Sequence, residues 1–325
     1  MGDEYTLGTD RSVIPSRGGT SGPQVSILIP VYNDPVGIEA TLTSLCEQRY
    51  PRPDYEIIVA DNGSTDNTRS VVRRFATEHG RISLVIEDDV QGSYAARNAG
   101  IRAADGEILA FLDCDMTVPE DWLERAIDEF QTTNADYMGC NVELVLPKNP
   151  SLPARYDAHT GFPIERYIER QRFAPTCCLF VRRAVFGAVG LFDSRVVSGG
   201  DKEFGNRVAE AGYRLQFAED VTMYHPARES VRALANKDLR VGRGHCQLQR
   251  YYPERYGRPG VPPRPSGVKS PPDRKNGLSF GNRIAFPSLS IVLTGMRAVG
   301  YANELVAPTH NGATVTGRAP PKLTD

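Results

Sequence analysis

Four short apolar runs, each stopping at a polar loop, constrain this chain more than any other feature. They are residues 24–31, Tyr55 to Ala60, Ile82 to Ile86 and Ile108 to Leu112. Each has the length and aliphatic content of a buried strand. Helical spacing follows the first (Ile38, Leu42, Leu45, Cys46), the second (Val71, Val72, Phe75) and the third (Tyr94 to Ala104). After the fourth, Trp122, Leu123, Ala126, Ile127 and Phe130 share one helix face, with Pro119 expected in the first turn. Asp66 and Ser93 are the expected N-caps. Strands alternating with helices predict an α/β protein with a Rossmann-like, mostly parallel central sheet flanked by helices.

In such a sheet, ligands bind beyond the carboxyl ends of the strands. The loops expected there are Tyr32-Asn33-Asp34, Asp61-Asn62-Gly63, Gln91-Gly92 and Asp113-Cys114-Asp115. Asp113 and Asp115 leave the core one residue apart. Two carboxylates that close repel each other unless a cation lies between them, and oxygen ligands of this kind suit Mg²⁺ or Mn²⁺. An ion held there can grip a diphosphate, so a nucleotide-linked substrate is expected.

The alternation loosens further on. Asp136 to Leu146 reads as a long strand, and Pro147 to Pro175 as loop with one helical piece. Asp201 opens a helix with Phe204, Val208 and Ala211 inward, and Val221 to Tyr224 reads as a short strand. Residues 284–306 are the longest apolar stretch, interrupted by Pro287, Arg297 and Glu304. No stretch reaches the roughly 20 apolar residues of a membrane span. Residues 284–306 are therefore expected to cap the core or to lie on a membrane surface. The expected organisation is a flexible segment 1–23, a main domain 24–256, and a Pro-rich strap and loose tail 257–325. Within the main domain, 24–115 is the nucleotide-binding half and 116–256 a smaller acceptor-side subdomain.

The chain has 325 residues, 40% hydrophobic and 24% charged, ordinary values for a soluble globular protein. A net charge of −2 offers no general attraction for nucleic acid. Residues 1–23 lack the apolar run of a secretory signal. Six cysteines without zinc spacing suit a reducing cytoplasm.

Several segments then stand in a recognisable order over roughly residues 24–250. They are Ser26-Ile-Leu-Ile-Pro-Val-Tyr-Asn33, Ile58-Val-Ala-Asp-Asn-Gly-Ser-Thr-Asp66, Gly92-Ser-Tyr-Ala-Ala-Arg-Asn-Ala-Gly-Ile101, Phe111-Leu-Asp-Cys-Asp115, Gly199-Gly-Asp-Lys-Glu-Phe-Gly-Asn-Arg207 and Tyr224-His225. Together they resemble the inverting family 2 glycosyltransferases with the GT-A fold.

The resemblance implies roles residue by residue. Asp113 reaches the ribose or the metal and Asp115 ligates the metal. His225 is a further ligand, and its imidazole favours Mn²⁺ over Mg²⁺. Pro30, Val31 and Tyr32 lie against base and ribose, although Tyr32 reads equally well as packing. Asp61 and Asn62 accept the uracil N3–H. The family often has an acid at the position of Asn62, and Asn62-Gly63 also reads as an ordinary turn. Arg97 faces the nucleotide, with a surface salt bridge as the alternative. Gly92 and the helix start beyond it present N–H groups to an anion. Asp201 is the general base; the acid that usually precedes it is Gly200 here, and Asp201 reads otherwise as a helix N-cap. Glu203 supports the site or touches the acceptor. Arg228, Arg232, Lys237, Arg240 and Arg243 read either as a solvated helix face or as a phosphate grip, with Arg240 and Arg243 on the acceptor or phosphate side.

The implied activity is a metal-dependent inverting transfer from a nucleotide-sugar donor, a UDP-sugar first, to a hydroxyl of a glycan or lipid-linked acceptor. Its implied location is the cytoplasm, with peripheral membrane contact. Two rivals are a sugar-phosphate nucleotidyltransferase and a non-catalytic nucleotide-sugar-binding protein. The first lacks its Gly-rich, Arg/Lys-bearing loop, since Tyr32-Asn33-Asp34-Pro35 stands there instead. The second leaves Asp113, Asp115 and Asp201 without a purpose.

Overall fold

A strand buried on both faces must be apolar along its whole length, and β1 (Val25–Val31) is buried at all seven positions. Ser26 is its one hydroxyl, and it is satisfied: it donates to Glu56 at 2.6 Å and accepts from the Gly106 N–H at 2.9 Å. The computed structural model describes residues 23–261, 280–309 and 323. After β1 come α1 (Pro35–Cys46), β2 (Tyr55–Asp61), α2 (Thr68–Glu78), β3 (Ile82–Ile86), α3 (Ser93–Ala103), β4 (Ile108–Phe111) and α4 (Trp122–Thr132). The second half holds β5 (Tyr137–Val145), α5 (Leu152–Thr160), α6 (Ile164–Gln171), β6 (Leu179–Arg182), α7 (Arg183–Val189), α8 (Gly200–Glu210) and β7 (Leu215–Pro226). It ends with α9 (Val231–Tyr251), α10 (Pro253–Tyr256) and α11 (Phe280–Val306).

The seven strands form one sheet in the order β3-β2-β1-β4-β6-β5-β7. β1 to β4 run parallel, β6 is antiparallel to both its neighbours, and β7 is parallel to β5. Parallel neighbours need crossovers, so the loops after β1, β2, β3 and β4 gather at one edge. The register pairs Val31 with Asp61 and Leu28 with Phe111. The Asn62 N–H donates to the Val31 carbonyl at 2.9 Å, which sets the second loop beside Tyr32.

Aromatic packing joins the two halves. Phe111, two residues before Asp113, stacks edge-on against Phe192 at 5.7 Å. Phe192 and Phe186 each lie 4.7 Å from Phe204, three residues after Asp201. Phe111, Phe186, Phe192 and Phe204 are all fully buried. α8 approaches the Arg172–Phe173 backbone through Gly205, where an added Cβ would stand 2.6 Å from the Arg172 carbonyl oxygen. On the other side, Thr117 and Tyr224 exchange two backbone hydrogen bonds of 2.9 Å. That bridge ties the turn after β4 to the end of β7.

Several local expectations change. Asn67 holds the N-cap position of α2, while Asp66 accepts from the Thr68 N–H and hydroxyl. Gly92 precedes α3 with φ 146°, and Ser93 is its first residue, not its cap. α4 starts at Trp122, with Pro119 in the turn before it. Two helices, not one, lie between Pro147 and Pro175: α6 has a clear apolar stripe with Ile164 and Ile168 buried, while α5, which buries Ala154 and Asp157, gives little periodic signal. The strand before His225 is twelve residues long, beginning at Leu215. Ala211 is exposed, since α8 ends at Glu210. Residues 1–22, 262–279, 310–322 and 324–325, which hold nearly all of the flexible segment and about half of the strap and tail, lie outside the described residues.

The largest change concerns the apolar stretch. α11 continues through Pro287, and Gly281–Val306 is long and apolar enough by length and composition to cross a membrane, with mean hydropathy 1.3. It packs along α9, not over the main core. Gly205→Ala is expected to lower the unfolding free energy by about 1–3 kcal/mol, because the neighbour it meets is backbone. The readout is a lower urea midpoint with unchanged slope. Gly187→Ala, with nothing within 4 Å of the added Cβ, should not lower it.

Candidate functional site

At the ends of β1 and β2, Pro30, Val31, Asp61 and Asn62 are buried, and Tyr32 stands 53% exposed. Tyr32 is therefore not packing. Asp61 Oδ1 accepts from Arg69 Nε at 2.6 Å and from the Ser64 N–H at 3.1 Å. Its other oxygen, Oδ2, is buried without a hydrogen-bond partner among the described residues. Asn62 differs from expectation, because both ends of its amide are engaged. Its Nδ2 donates to the Glu87 and Val90 carbonyls, and its Oδ1 accepts from Gln91 Nε2 at 3.0 Å and the Gly92 N–H at 2.5 Å. Asn62 thus holds the loop in front of α3, and the Gly92 N–H is taken by it instead of facing an anion.

Arg97 is 4% exposed, so a surface salt bridge is excluded. Its Nη2 donates to Asp113 Oδ1 at 2.5 Å, and its Nε has no partner among the described residues. Three residues earlier on the same helix face, Tyr94 lies under the guanidinium, 5.7 Å from its ring centroid. The Tyr94 hydroxyl donates to Asp201 Oδ1 and accepts from the Asp201 N–H, both at 3.3 Å. A continuous chain Asp113–Arg97–Tyr94–Asp201 therefore joins carboxylates 88 residues apart in sequence. Asp201 sits in the first turn of α8, behind Gly199, which holds φ 84°; it is not the N-cap. Burial pushes the Asp201 carboxyl up, against the Lys202 N–H, Arg97, the Tyr94 hydroxyl and Arg240, which pull it down.

The third acid faces the imidazole. His225 Nδ1 lies 2.7 Å from the Pro226 carbonyl, which fixes that nitrogen as the donor. His225 Nε2 stands 3.6 Å from Asp115 Oδ1. Burial raises the Asp115 carboxyl, His225 opposes this, and Asp113 adds to it. Thr41 pins the turn by donating to the Cys114 and Met116 carbonyls at 2.9 and 2.7 Å. Burial also drives the Cys114 thiol well up, so it stays protonated beside Asp34. Among the described residues, no three His, Cys, Asp or Glu side chains stand together in metal-holding geometry. Asp115 and His225 do meet, while Asp113 is paired with Arg97. Mg²⁺ and Mn²⁺ in nucleotide sites take one or two protein carboxylates and complete their shell from phosphate oxygens. The residues present fit such an ion.

Glu203 does not face the acceptor. It is fully buried and ion-paired with Arg207 at 2.8 Å and Arg255 at 3.4 Å, and Arg207 in turn caps the Val189, Gly190 and Leu191 carbonyls. Glu203 locks α8 to the end of α7. Of the basic segment, Arg228 and Lys237 pair with buried Asp157. Arg232, Arg240 and Arg243 are exposed, and Arg240 reaches the Val197 carbonyl at 3.5 Å, within electrostatic range of Asp201. Tyr94 and Arg69 were missed from the sequence. Tyr94 had a signal, its helical spacing from Arg97; the Arg69 partnership had none.

A seven-stranded sheet with acids at its carboxyl edge defines a nucleotide-sugar enzyme of GT-A architecture, and similarity to known proteins agrees. Residues 26–189 match the model of Glycosyl transferase family 2. The chain is 42% identical over 226 residues to the glycosyltransferase AglE of Haloferax volcanii, covering 70% of this chain and 74% of that one. Its fold resembles the mannosyltransferase PcManGT of Pyrobaculum calidifontis, in complex with GDP-Man and Mn²⁺. The TM-score is 0.54 at 23% identity, over 90% of this chain and 78% of that one. TarS of S. aureus, in complex with UDP-GlcNAc, gives 0.51 at 18% identity, over 87% and 83%. The chain belongs to glycosyl transferase family 2 and is a glycosyltransferase, not a nucleotidyltransferase or a binding protein.

A carboxyl raised by burial favours the folded state below its unfolded pKa and loses that contribution as pH rises through the folded value. Asp201→Asn is therefore expected to be more stable than the parent at pH 7, with the difference closing at acid pH. Thermal unfolding across pH checks this.

Proposed function

We propose that this chain moves a sugar from a UDP-sugar to a hydroxyl of a glycan or lipid-linked acceptor, in one inverting displacement dependent on Mn²⁺ or Mg²⁺. The observation that carries the uracil reading is Asp61 Oδ2, a buried acceptor without a donor. Such orphans are rare in folded proteins, and the uracil N3–H supplies the missing proton. Tyr32 lends its exposed ring to the base. Arg97 Nε, also buried without a partner among the described residues, donates to a carbonyl or phosphate oxygen of the nucleotide.

Asp113, Asp115 and His225 would hold the ion, with the imidazole favouring Mn²⁺. Bound there, the ion supplies positive charge to the departing nucleoside diphosphate. Asp201 Oδ1 already takes the Tyr94 hydroxyl and the Lys202 N–H. Its Oδ2 therefore receives the proton of the acceptor hydroxyl. A carboxyl raised by burial is a stronger base than a solvated one, and Tyr94 fixes its direction. Arg240 flanks the acceptor side, with Arg243 further along the same helix. Residues 24–115 serve the donor and 116–256 the acceptor. Six free cysteines support a reducing, cytoplasmic location.

A thermal-shift screen of UDP-, GDP- and dTDP-sugars with and without Mn²⁺ tests donor and metal together. UDP-sugars with Mn²⁺ should raise Tm, and Asp115→Ala should abolish the Mn²⁺-dependent part. A shift by GDP-sugars alone would overturn the base assignment, and an unchanged shift in chelator would overturn the metal. Asp201→Asn should keep the shift while transfer falls by about 10²–10⁴-fold.

A further inference from the structure

α11 carries two charged side chains between Ile284 and Val306, and both face α9. Arg297 pairs with Asp238, and Glu304, which is buried, accepts from Arg250 at 3.0 Å. The two helices touch backbone to backbone at Gly242 and Gly300, where an added Cβ would collide with the Arg297 and Leu239 carbonyls. Leu289 and Leu293 pack on Leu234 between them. The opposite face has no charge. Ile284, Ile291, Val292, Val299, Leu305 and Val306 are all exposed, Ile291 by 74% and Val306 by 84%. This strip runs for about 33 Å of helix, and an exposed apolar face of that length marks a contact surface.

We propose that the outward face of α11 seats the enzyme flat on an anionic bilayer. Three observations choose this occupant. First, α11 cannot cross a bilayer while α9 runs along it. α9 holds the charged Lys237, Asp238 and Arg250, and its Gly244 packs against Ser198 of the catalytic domain. α9 covers only a narrow stripe of α11, but it runs beside it with its charges, so α11 lies in the plane of the surface. Second, exposed Arg283 opens the helix, and Arg232, Arg240 and Arg243 are exposed on α9. Anionic headgroups neutralise such a strip, whereas a second copy docked by a twofold axis would repeat the same cations around the contact. Third, the basic strip ends beside Asp201 through Arg240. A bilayer under α11 therefore brings lipid-borne hydroxyls to the acceptor side. This last point rests on the proposed function; the seating itself does not.

The test uses the full chain and Ile291→Glu/Val299→Glu, whose side chains are solvent-exposed, so folding is spared. Flotation with vesicles of phosphatidylcholine and phosphatidylglycerol should recover the parent at low salt. Pure phosphatidylcholine should recover less, and the double variant should partition about tenfold more weakly or worse. Hydrolysis of the UDP-sugar with Mn²⁺ should be equal in parent and variant. Failure of the parent to float, or equal flotation of the variant, would overturn the proposal. So would a lipid-free dimer in sedimentation that the variant dissolves, since a second copy would then cover the face. Loss of hydrolysis in both proteins would count against the donor reading and leave the flotation result standing.

Discussion

The contact on which the rest depends is the aromatic cluster between β4 and α8. Phe111 and Phe204 sit close in sequence to Asp113 and Asp201, and Phe192 touches both rings. Ring pairs at 4.7–5.9 Å among fully buried side chains leave little freedom for either backbone. The cluster therefore sets the distance between the acid on the sheet edge and the acid on the helix. Glu203 and Arg207 then fix the rotation of α8 by clamping it to the end of α7. Breaking such a buried pair leaves an uncompensated charge, which is why it holds orientation firmly.

Polar contacts refine what packing brings near. Arg97 and Tyr94, one turn apart on α3, link the two carboxylates through a cation over a ring. The same helix is held at its start by Asn62, so the loop after β2 and the start of α3 form one rigid piece. On the far side, the Thr117–Tyr224 bridge and the Pro226 carbonyl aim the His225 imidazole at Asp115. The loop after β2, the Asp115–His225 pair and Asp201 are thus held as three rigid parts around one sheet. A flexible assembly would have to recover ordering entropy at every turnover.

The parallel first half was legible because β1 and β4 are fully buried, β2 nearly so, and each apolar run stands out between polar loops. Asp61, Asp113 and Asp115 were legible as candidates because they end such runs. Asn62 was misjudged as base-facing, since its partners Gln91 and Gly92 come from a loop nearly thirty residues on. Glu203 was read as supporting the site or touching the acceptor; its partners fit the first reading, but Arg255 lies 52 residues away and had no signal. Only one of the two helices between Pro147 and Pro175 was read, because α5, with Ala154 and Asp157 as its buried residues, leaves little periodic signal.

The sequence by itself determined the α/β alternation, the sheet edge at which Asp61, Asp113 and Asp115 stand and the family resemblance, because these rest on local hydrophobic period and residue order. Only the tertiary structure decided which polar atoms are spent and which are open. Asp61 Oδ2 and Arg97 Nε stand without partners, while Asn62, Gly92 and Glu203 are committed. It also decided that Arg297 and Glu304 of α11 turn toward α9, leaving the opposite face beyond Arg283 without charge. Hydrogen bonds and ion pairs form between groups distant along the chain, so their allocation is a property of the packed molecule and has no local signature.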